Sequence, residues 1–484
     1  MPRPHILFIL TDQQRADCLG VAGHPVLRTP NMDRLAAEGV RFTRCYTTSP
    51  LSVPARQSLL RGLYPHNSNA WQNDVETPLD ADTYMRCLRE AGYRTCGIGK
   101  HHLFECNTGD MREREPKYHA IGFDDIIEIG GSWSTLKNFS AYTDYLQSRG
   151  LLEQHRAYMK ALHEKPDEVR RYIAESLTIP ADAYMDAWTT RQIVDYVERY
   201  DHDQPSAVYV GYQGPHEPWD APDEYVKGMD PSKLPPPIPE LPQGDWLPPR
   251  ARWYQRWAQY YPPPSREARD AIYCRYLGKI AQIDDGIGKI LAAYERKGWL
   301  DNTVIIFTSD HGEMMGDLNR LSKSVCYESA VHTPMIVRMP DRAGAGTTCD
   351  GFVEFIDVHG TMLDAAGLPI GKHKDCKSVL PLVRGETRKI RDDVLAEVHA
   401  HYMLRTDDWK IVIGRDGSTM CLFDLRSDPL EQKNLCGHPD YARQDLMLRS
   451  RLLSRITGST YRPGVYDPEF SGHPQGGRFG GPMV

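Results

Sequence analysis

The sequence predicts an α/β fold: a large, mostly parallel but mixed central sheet flanked by helices, then a smaller C-terminal α+β domain that carries an antiparallel sheet. Two observations lead to this prediction. Short apolar runs alternate with amphipathic helical patterns, and such alternation favours parallel strands joined by crossover helices. After about residue 370 the alternation gives way to short strands and turns, which are typical of an antiparallel sheet.

The central strands are predicted from five apolar runs that are brief and rich in β-branched residues, which favours strand over helix. In chain order they are residues 5–10, 93–99, 207–213, 303–310 and 334–339. Near the C-terminus, the segments "YMLRTDDWKIVIG" and "TMCLFDLRSDPLEQKNL" resemble a pair of hairpin strands and supply the second sheet.

Helices are predicted between these strands. One covers residues 30–38, and a second, capped by Thr83, runs to residue 91. In residues 268–297 apolar side chains recur every three or four positions, which predicts a long helix facing the core. A glycine follows each of the three and is suited to ending it.

Two regions depart from the strand–helix rhythm and suggest how the chain is divided. We expect a catalytic domain over residues 1–370 and a smaller domain over 371–484, with an extended tail from about residue 460. Residues 229–264 are rich in proline and aromatic residues, and proline removes backbone donors and interrupts helices. They predict a long, ordered excursion from the first domain that does not join its core.

The composition is that of a globular protein and excludes two classes of partner. Apolar residues make up 40% and charged residues 25% of the 484, and the net charge is −7. This acidity argues against a non-specific nucleic-acid binder, which is normally basic. No apolar run approaches the ~20 residues that a membrane span needs, so no membrane partner is expected.

The N-terminus and the cysteines bear on the compartment. The apolar segment Ile6–Leu10 is short and no small-residue cleavage site follows it, so it does not resemble a signal peptide. We expect a cytoplasmic protein, or a periplasmic or secreted one if a leader has been removed. The 11 cysteines are scattered, with no CxxC pair, which argues against a disulfide scaffold and a zinc site.

Polar side chains follow four predicted strands at the point where each strand ends. They are Asp12 and Gln13, then Lys100, His101 and His102, then His216, and finally Asp310 and His311. In an open α/β sheet, ligands bind beyond the carboxyl ends of the strands. We therefore expect these four groups to meet at one edge. A single such group is more often structural than ligating, but the convergence of four favours a site.

The acidic members of this set predict a divalent cation. Asp12 and Asp310 supply carboxylates and Gln13 an amide oxygen, a combination that suits a hard ion such as Ca²⁺ or Mg²⁺. His311 is a softer ligand and keeps Mn²⁺ among the candidates.

The segment "SVPAR" adds a candidate nucleophile. Pro54 suits the first turn of a helix that Gly62 ends, so Ser52 lies at the helix N-terminus, where backbone N–H groups favour an anion. Arg56, one turn later, can reach back to the same place. Taken alone, the segment favours the simpler interpretation, an N-cap serine near a surface arginine.

Together with these residues, a series of motifs resembles the type I sulfatases of the alkaline phosphatase superfamily, in family order and over most of the chain. The motifs are "ILFILTDQQRAD", "TPNMDRLAAEGVRFTRCYTTSP", "SVPAR" with "SLLRG", "GIGKHHL", "GPHEPW", "TSDHGEMMGD", "LSKSVCYESAVHTPMIV" and "FDLRSDPLEQKNL". The resemblance implies a sulfatase that hydrolyses sulfate monoesters, in this chain of a sulfated carbohydrate.

The family's core motif is Cys-x-Pro-x-Arg, whose cysteine a maturation enzyme oxidises to formylglycine. In one subset serine takes that place, matured by an oxygen-independent system. Here the residue is Ser52, which is either such a precursor or an inactivating replacement of cysteine. The resemblance therefore implies a formylglycine-generating enzyme as a partner, and a chain that is inactive while Ser52 stays unmodified.

Roles for the other residues follow from the resemblance by motif position. Asp12, Gln13, Asp310 and His311 would bind the divalent cation, usually Ca²⁺, although the family more often has Asp-Asp and Asp-Asn at these pairs. Lys100, Lys323 and Arg56 would hold the sulfate oxygens, His102 would contact the nucleophile, and His216 would lie near the leaving oxygen.

Two other functions remain open at this stage. A phosphonate monoester or phosphodiester hydrolase of the same superfamily shares the nucleophile and metal motifs, but typically has hydroxyl residues where Lys100 and His102 stand. A non-catalytic protein that binds sulfated glycans is compatible with Ser52, although it has no use for a leaving-group acid.

Candidate substrate contacts come from histidines and aromatic residues. His101 is expected near the pocket rim, and Trp219 is a candidate for stacking on a sugar ring, although a tryptophan in a large α/β protein is more often in the core. His399 and His401 precede the C-terminal hairpin and could reach the pocket from the small domain, or else lie exposed on a strand.

Overall fold

The computed structural model describes residues 3–177, 179–257 and 265–460, which form three sheets. The strands are β1 (His5–Asp12), β2 (Val40–Tyr46), β3 (Arg94–Gly99), β4 (Gly109–Asp110), β5 (Asp125–Glu128), β6 (Asn138–Phe139), β7 (Ser206–Pro215), β8 (Thr303–Ser309), β9 (His332–Arg338), β10 (Thr347–Cys349), β11 (Val353–Glu354), β12 (Val394–Val398), β13 (His401–Arg405), β14 (Trp409–Gly414) and β15 (Thr419–Asp424).

The α-helices lie mainly between the strands of the large sheet. They are α1 (Pro30–Glu38), α2 (Ser52–Arg61), α3 (Pro65–Ser68), α4 (Tyr84–Glu90), α5 (Glu115–Ala120), α6 (Ala141–Ser148), α7 (Leu152–His163), α8 (Asp167–Arg170), α9 (Met185–Arg199), α10 (Asp223–Val226), α11 (Pro249–Trp257), α12 (Arg266–Arg296), α13 (Glu328–Val331), α14 (Asp357–Ala365), α15 (Leu380–Val383) and α16 (Ala442–Thr460).

The central sheet has nine strands in the order β10-β2-β9-β8-β1-β7-β3-β5, with β11 also paired to β2. Among these described strands, only β9 runs antiparallel to its neighbours, which are β2 and β8. The mostly parallel, mixed sheet of the sequence prediction is confirmed. As a result β1, β2, β3, β7 and β8 all end at the same edge.

Both faces of this sheet are covered by apolar cores. Along β1, Ile6, Phe8 and Leu10 enter one buried cluster, whereas Leu7 and Ile9 enter the other. Helices α1, α9 and α12 pack on the second face. Each large side chain so buried contributes about 1.5–3 kcal/mol. In a strand that is buried on both faces, polar residues are accommodated only at the two ends.

The predicted elements are present, but the central sheet also contains strands that were not predicted. Thr83 accepts a hydrogen bond from the Arg86 N–H and so caps α4 as expected. All five predicted central strands form, but the short strands β5, β10 and β11 were not predicted, and neither was the longer β2. Its sequence, "VRFTRCY", carries arginines at positions 41 and 44, and these interrupt the apolar run that marked the other strands.

The second sheet is an antiparallel meander of four strands, β12-β13-β14-β15. The predicted hairpin segments supply its last three strands. Helix α16 packs across β13 and β14, so the sheet has one face on this helix and the other toward the central sheet.

The proline-rich excursion packs against the small domain and against α12. Contrary to the expectation that it does not join the core, its Leu234 enters a buried cluster of the central domain, and its Leu247 and Tyr254 enter buried clusters with the small sheet. The Trp246 indole N–H donates to the Asn434 carbonyl (3.1 Å), and the Arg269 guanidinium of α12 donates to the Pro235 carbonyl (2.8 Å). The excursion also contains a helix, α11, which begins at Pro249, a position that tolerates proline. Residues 258–264 of the excursion, and the predicted tail after residue 460, lie outside the described residues.

All eleven cysteines are free thiols, in line with the argument against a disulfide scaffold. Among the helices of the described residues, none combines the length and the apolar character needed to cross a bilayer.

A buried cluster of charges joins the small sheet to the central domain. Lys410 of β14 is fully buried, and its ammonium lies 2.7 Å from a Glu328 carboxylate oxygen and also contacts Glu431. The Glu328 carboxylate accepts from the Tyr46 hydroxyl (2.8 Å), and the Glu431 carboxylate accepts from the Glu328 N–H (2.7 Å). Lys410 thus lies between two carboxylates that have little access to water, and Glu328 has a second cation, the Arg405 guanidinium, 3.5 Å away.

We expect the substitution Lys410→Met to lower the free energy of unfolding by about 3–5 kcal/mol, because it leaves the Glu431 carboxylate buried without its cation and Glu328 with the Arg405 guanidinium alone. Chemical denaturation of the full chain measures this. The matched control is Lys389→Met, which removes an exposed lysine paired with Asp392, and should leave the free energy of unfolding nearly unchanged because solvent screens exposed charges. Equal losses in the two variants would contradict the role given to Lys410.

Candidate active site

The first residue of α2 is Ser52, placed where β2 delivers the chain to the common edge of the sheet. Its side chain is buried, and the Ser52 hydroxyl oxygen lies 3.0 Å from Nε2 of His311. The Val53 N–H, in the first turn of the same helix, donates to the Asn73 side-chain oxygen (3.1 Å). Ser52 thus lies at a helix N-terminus, where backbone N–H groups and the helix dipole favour an anion.

Arg56, one turn along α2, is fully buried, and each of its three guanidinium nitrogens donates a hydrogen bond. Its Nε donates to Asp310 (2.9 Å), one terminal nitrogen donates to Asp12 (3.1 Å), and the other donates to the Lys100 carbonyl (2.7 Å). Burial alone would lower the pKa of Arg56, but the two carboxylates outweigh burial and raise it. The guanidinium therefore holds the carboxylates in place, and is not directed at a sulfate as the sequence analysis expected.

Asp12, Asp310 and His311 form the one cluster of carboxylate and imidazole groups in the described residues that is tight enough for a metal ion. Their ligand atoms lie within 4.8 Å of one another. Oδ1 of Asp12 is buried without a hydrogen-bond partner, although Lys100 and Arg56 both contact the other oxygen. A buried carboxylate oxygen left over in this way fits a bound cation.

The tautomer of His311 also suits a metal ligand. Its Nδ1–H donates to the Gly312 carbonyl (3.0 Å), and burial lowers the pKa of His311. The neutral ring therefore presents the Nε2 lone pair, which lies 3.9 Å from Oδ1 of Asp12 and 3.7 Å from Oδ1 of Asp310. Metal-bound histidines commonly have their second nitrogen fixed by a carbonyl in this way.

Two lysines bring positive charge to the same pocket. Nζ of Lys100 lies 2.6 Å from Asp12. Nζ of Lys323 donates to the side-chain oxygen of Gln13. The loop that carries Lys323 is tied to the segment before Ser52, because the Ser324 N–H donates to the Pro50 carbonyl (2.9 Å).

His102 and His216 are both neutral in the free protein. Burial, together with the charges of Lys100 and Arg56, lowers the pKa of His102 to about 3. Burial also lowers the pKa of His216 to about 3, although the Glu217 carboxylate opposes the change. The His216 Nδ1–H donates to the Glu217 carbonyl (2.8 Å), which leaves Nε2 of the ring as an acceptor.

Four residues that the sequence analysis did not single out contact this set. Asn73 binds the first turn of α2, and Glu128 accepts from the backbone N–H groups of His101 and His102 at 3.0 and 3.3 Å. Glu217 and Glu313 contact the Gln13 amide. Glu217 follows His216 directly in "PHEP", and Glu313 lies two residues after His311 in "DHGE", so the sequence did carry a signal for both. Nothing in the sequence marks the other two as neighbours.

Two predicted substrate contacts lie in the core. His101 is 0% exposed, is packed among the rings of Tyr118, Phe123 and Tyr209, and faces Glu128 at 3.4 Å, so it is not at a pocket rim. The backbone N–H groups of His101 and His102 both donate to the buried Glu128 carboxylate, which holds this turn against the core.

Trp219 is 3% exposed and packs edge-on against Tyr276, and its indole N–H donates to the Arg171 carbonyl (2.8 Å). A ring enclosed in this way has no face for a sugar. The prediction that Trp219 stacks on substrate was wrong in placing it at the surface, and the core alternative describes it.

His399 and His401 lie at opposite sides of the turn between β12 and β13. Nδ1 of His399 lies 2.9 Å from the Gln72 side-chain nitrogen, one residue before Asn73, and so near the start of α2. His401 is buried, with its ring 5.1 Å from that of Tyr254. The structure thus brings His399 toward the candidate site and directs His401 into the interior.

Comparison with known proteins agrees with this geometry. A family model described as "Sulfatase" matches residues 4–368, and one described as "N-sulphoglucosamine sulphohydrolase, C-terminal" matches residues 316–457. The chain is 27% identical to an arylsulfatase of Clostridium perfringens, over 94% of this chain and 95% of the relative. It is 26% identical to an N-acetylglucosamine-6-O-sulfatase of Bacteroides thetaiotaomicron, over 93% and 86%.

Among solved structures, the phosphonate monoester hydrolase of Agrobacterium radiobacter is similar, with a TM-score of 0.78 and 25% sequence identity. The similarity covers 94% of this chain and 96% of that one. The architecture of both sheets is therefore shared over nearly the whole length.

We expect Ca²⁺ or Mn²⁺ to raise the melting temperature of the full chain, because an ion bound only by the native state stabilises it. At one hundred times the Kd the gain is about 2.7 kcal/mol. Asp12→Asn should abolish the shift, since it removes the carboxylate oxygen that has no other partner. Asp182→Asn, at an exposed aspartate, is the control. A shift that survives in Asp12→Asn would place the ion elsewhere.

Proposed function

This chain belongs to the sulfatase family, and from that premise we propose that it hydrolyses sulfate monoesters of a sulfated carbohydrate through a formylglycine formed at position 52. As a family member it is a sulfuric ester hydrolase. The observation that carries the proposal is the position of Ser52, at the start of α2 and 3.0 Å from His311, beside two carboxylates and Lys100.

Four residues are suited to hold the divalent cation: Asp12, Gln13, Asp310 and His311. A cation bound there supplies positive charge to sulfate oxygens whose negative charge grows in the transition state. We propose Ca²⁺ as the ion, with Mn²⁺ and Mg²⁺ as alternatives that an imidazole and oxygen donor set also accepts. Arg56 aligns Asp12 and Asp310 for this purpose.

Lys100 and Lys323 are proposed to bind the sulfate oxygens. Both ammonium groups now lie against groups of the ion site, Asp12 and the Gln13 oxygen respectively. An arriving sulfate would give them a second partner on the open side of the pocket. Because the surrounding groups are buried, each such ion pair is stronger than it would be in water.

His216 is proposed to protonate the leaving oxygen, and His102 to accept a proton from the nucleophile. The unprotonated state of His102 in the free protein suits an acceptor. His216, in contrast, has to gain a proton before it can act as an acid. The negative charge of a bound sulfate ester and the adjacent Glu217 both favour that protonation.

The carbohydrate substrate is supported by one relative and one contact. The Bacteroides thetaiotaomicron relative is named for a sulfated amino sugar, N-acetylglucosamine 6-sulfate. His399 of the small sheet is positioned beside the segment that supports α2, and we propose it as a substrate contact. His401 and Trp219, both buried, are assigned no such role.

A phosphonate monoester hydrolase is the second candidate, favoured by the overall similarity to the Agrobacterium radiobacter enzyme. Lys100 and His102 argue for sulfate, because the phosphonate and phosphodiester hydrolases of the superfamily typically have hydroxyl residues at these two positions. Measured on the matured protein, kcat/KM for an aryl sulfate should exceed that for an aryl phosphonate monoester. The reverse order would favour the second candidate.

Maturation can be tested by mass spectrometry of the tryptic peptide Cys45–Arg56. After coexpression with a maturation enzyme for serine-type sulfatases, we expect a peptide lighter by two hydrogens, and turnover of aryl sulfates and of glucosamine 6-sulfate. If serine persists, Ser52→Cys with a cysteine-type maturation enzyme is the second arm. Complete conversion with no turnover of any sulfate ester would instead support a non-catalytic glycan-binding protein.

A pH titration tests the histidine assignments without requiring activity. Because the folded-state pKa values of His102 and His216 are about 3, their ring signals in NMR should not titrate between about pH 5 and 8. Between pH 3 and 6.5 the unfolded chain then binds protons that the folded chain does not, so the free energy of unfolding falls as pH falls. A midpoint near 6.5 for either ring would contradict its burial in the neutral form.

A further inference from the structure

Gln13 differs from the other members of the candidate ion site because its side chain can present either of two atoms. The residue follows β1 directly, is fully buried, and has a left-handed backbone (φ 74°). A carboxylate offers oxygen whichever way it turns, whereas an amide offers oxygen one way and an N–H₂ donor the other. Only the oxygen can bind a cation, so the orientation of this amide decides whether Gln13 is a ligand.

The surroundings of Gln13 distinguish its two ends. On one side the side-chain nitrogen donates to a carboxylate oxygen of Glu217 (3.2 Å) and to one of Glu313. On the other side the Gln13 oxygen accepts from Lys323 Nζ. Reversing the amide would place N–H groups against an ammonium and a carbonyl oxygen against two carboxylates. The acceptors on one side and the cation on the other therefore determine the orientation.

The two carboxylates are themselves held in place. The second oxygen of Glu313 accepts from the Met315 N–H (3.1 Å) and from the Ser322 N–H, so the side chain is bound to the loop around it. The second oxygen of Glu217 lies 3.6 Å from the Arg171 guanidinium. Both carboxylates are buried or nearly so, which strengthens the hydrogen bonds they accept.

We propose that Glu217 and Glu313 are positioning residues that clamp the Gln13 amide, so that its oxygen faces the cation site of Asp12, Asp310 and His311. The clamp rests on the ion site of the proposed function. It acts on the ion through Gln13 and has no contact with substrate. Outer hydrogen bonds of this type typically change metal affinity by about 10–100-fold when they are removed.

The clamp also explains why this chain has an amide at position 13. A carboxylate there would face the carboxylates of Glu217 and Glu313 at hydrogen-bond distance, and like charges in a buried site repel. Glutamine avoids the repulsion and turns the same two groups into acceptors. Gln13 and Glu217 are therefore a matched pair, and changing one alone should be worse than changing both.

The test is calorimetric titration of the full chain with Ca²⁺ and, separately, Mn²⁺, which needs no turnover and no formylglycine. Glu217→Ala removes both the acceptor and the charge, and we expect the Kd to rise by about 10–100-fold. Glu217→Gln removes the charge but keeps an acceptor oxygen, and should lose clearly less. Glu217 is the better target because Glu313 also supports the loop backbone at Met315 and Ser322.

A matched control separates the clamp from the general charge of the pocket. Asp167→Asn removes a carboxylate that lies 4.0 Å from the same Arg171 but has no contact with Gln13 among the hydrogen bonds described. Its effect on the Kd should be small, because Asp167 is half-exposed and its charge is partly screened by solvent. Thermal unfolding in a chelator shows that each variant is folded before titration.

The paired substitution completes the test. Gln13→Glu should weaken binding despite adding a negative ligand, and Gln13→Glu with Glu217→Gln should recover part of the loss. If the parent chain binds neither ion, the proposed ion site is contradicted, and the proposed clamp is contradicted with it. If the parent binds but Glu217→Ala has the same Kd, or Glu217→Gln is as weak as Glu217→Ala, the clamp is overturned while the ion site stands.

Discussion

The buried pairing of Arg56 with Asp12 and Asp310 is the interaction on which the rest of the site depends. Each residue comes from a different element: Arg56 from α2, Asp12 from the end of β1, and Asp310 from just after β8. Removing such charges from water costs several kcal/mol per ion, and the cost is offset only when hydrogen bonds satisfy them. Here the guanidinium donates to both carboxylates and to a carbonyl, so the helix that begins with Ser52 cannot shift without leaving charges unpaired.

The fold leads to this arrangement through a simple constraint. Strands of the central sheet are buried on both faces, so charged side chains are excluded from their interiors and collect where the strands end. Parallel direction then brings those ends to one edge. The single antiparallel strand of the described sheet, β9, lies beside β8 and leaves the ends of β1, β3, β7 and β8 together. Ser52, the proposed nucleophile, joins them because β2 runs in the same direction and ends just before α2.

The same constraint determines how much could be predicted from the sequence. The end of a strand can be predicted from the sequence because the apolar run stops abruptly there. The convergence of Asp12, Lys100, His216 and Asp310 was predicted for this reason. The direction of a side chain within a turn cannot be predicted from the sequence pattern. For this reason His101 was expected at the pocket rim but lies in the core. Contacts such as that between Gln13 and Glu217 join residues 204 positions apart, and no periodicity in either segment reports them.

The balance of charge links the architecture to an anionic substrate. Without an ion, Asp12 and Asp310 are neutralised largely by Arg56 and Lys100, and His102 and His216 are neutral. A divalent cation added to this set leaves Lys100 and Lys323 with less negative charge to oppose them, so the pocket becomes positive. A sulfate ester restores the balance at the N-terminus of α2, where the helix dipole has the same sign. Binding of the cation and binding of the anion therefore reinforce each other, even though the protein as a whole is acidic.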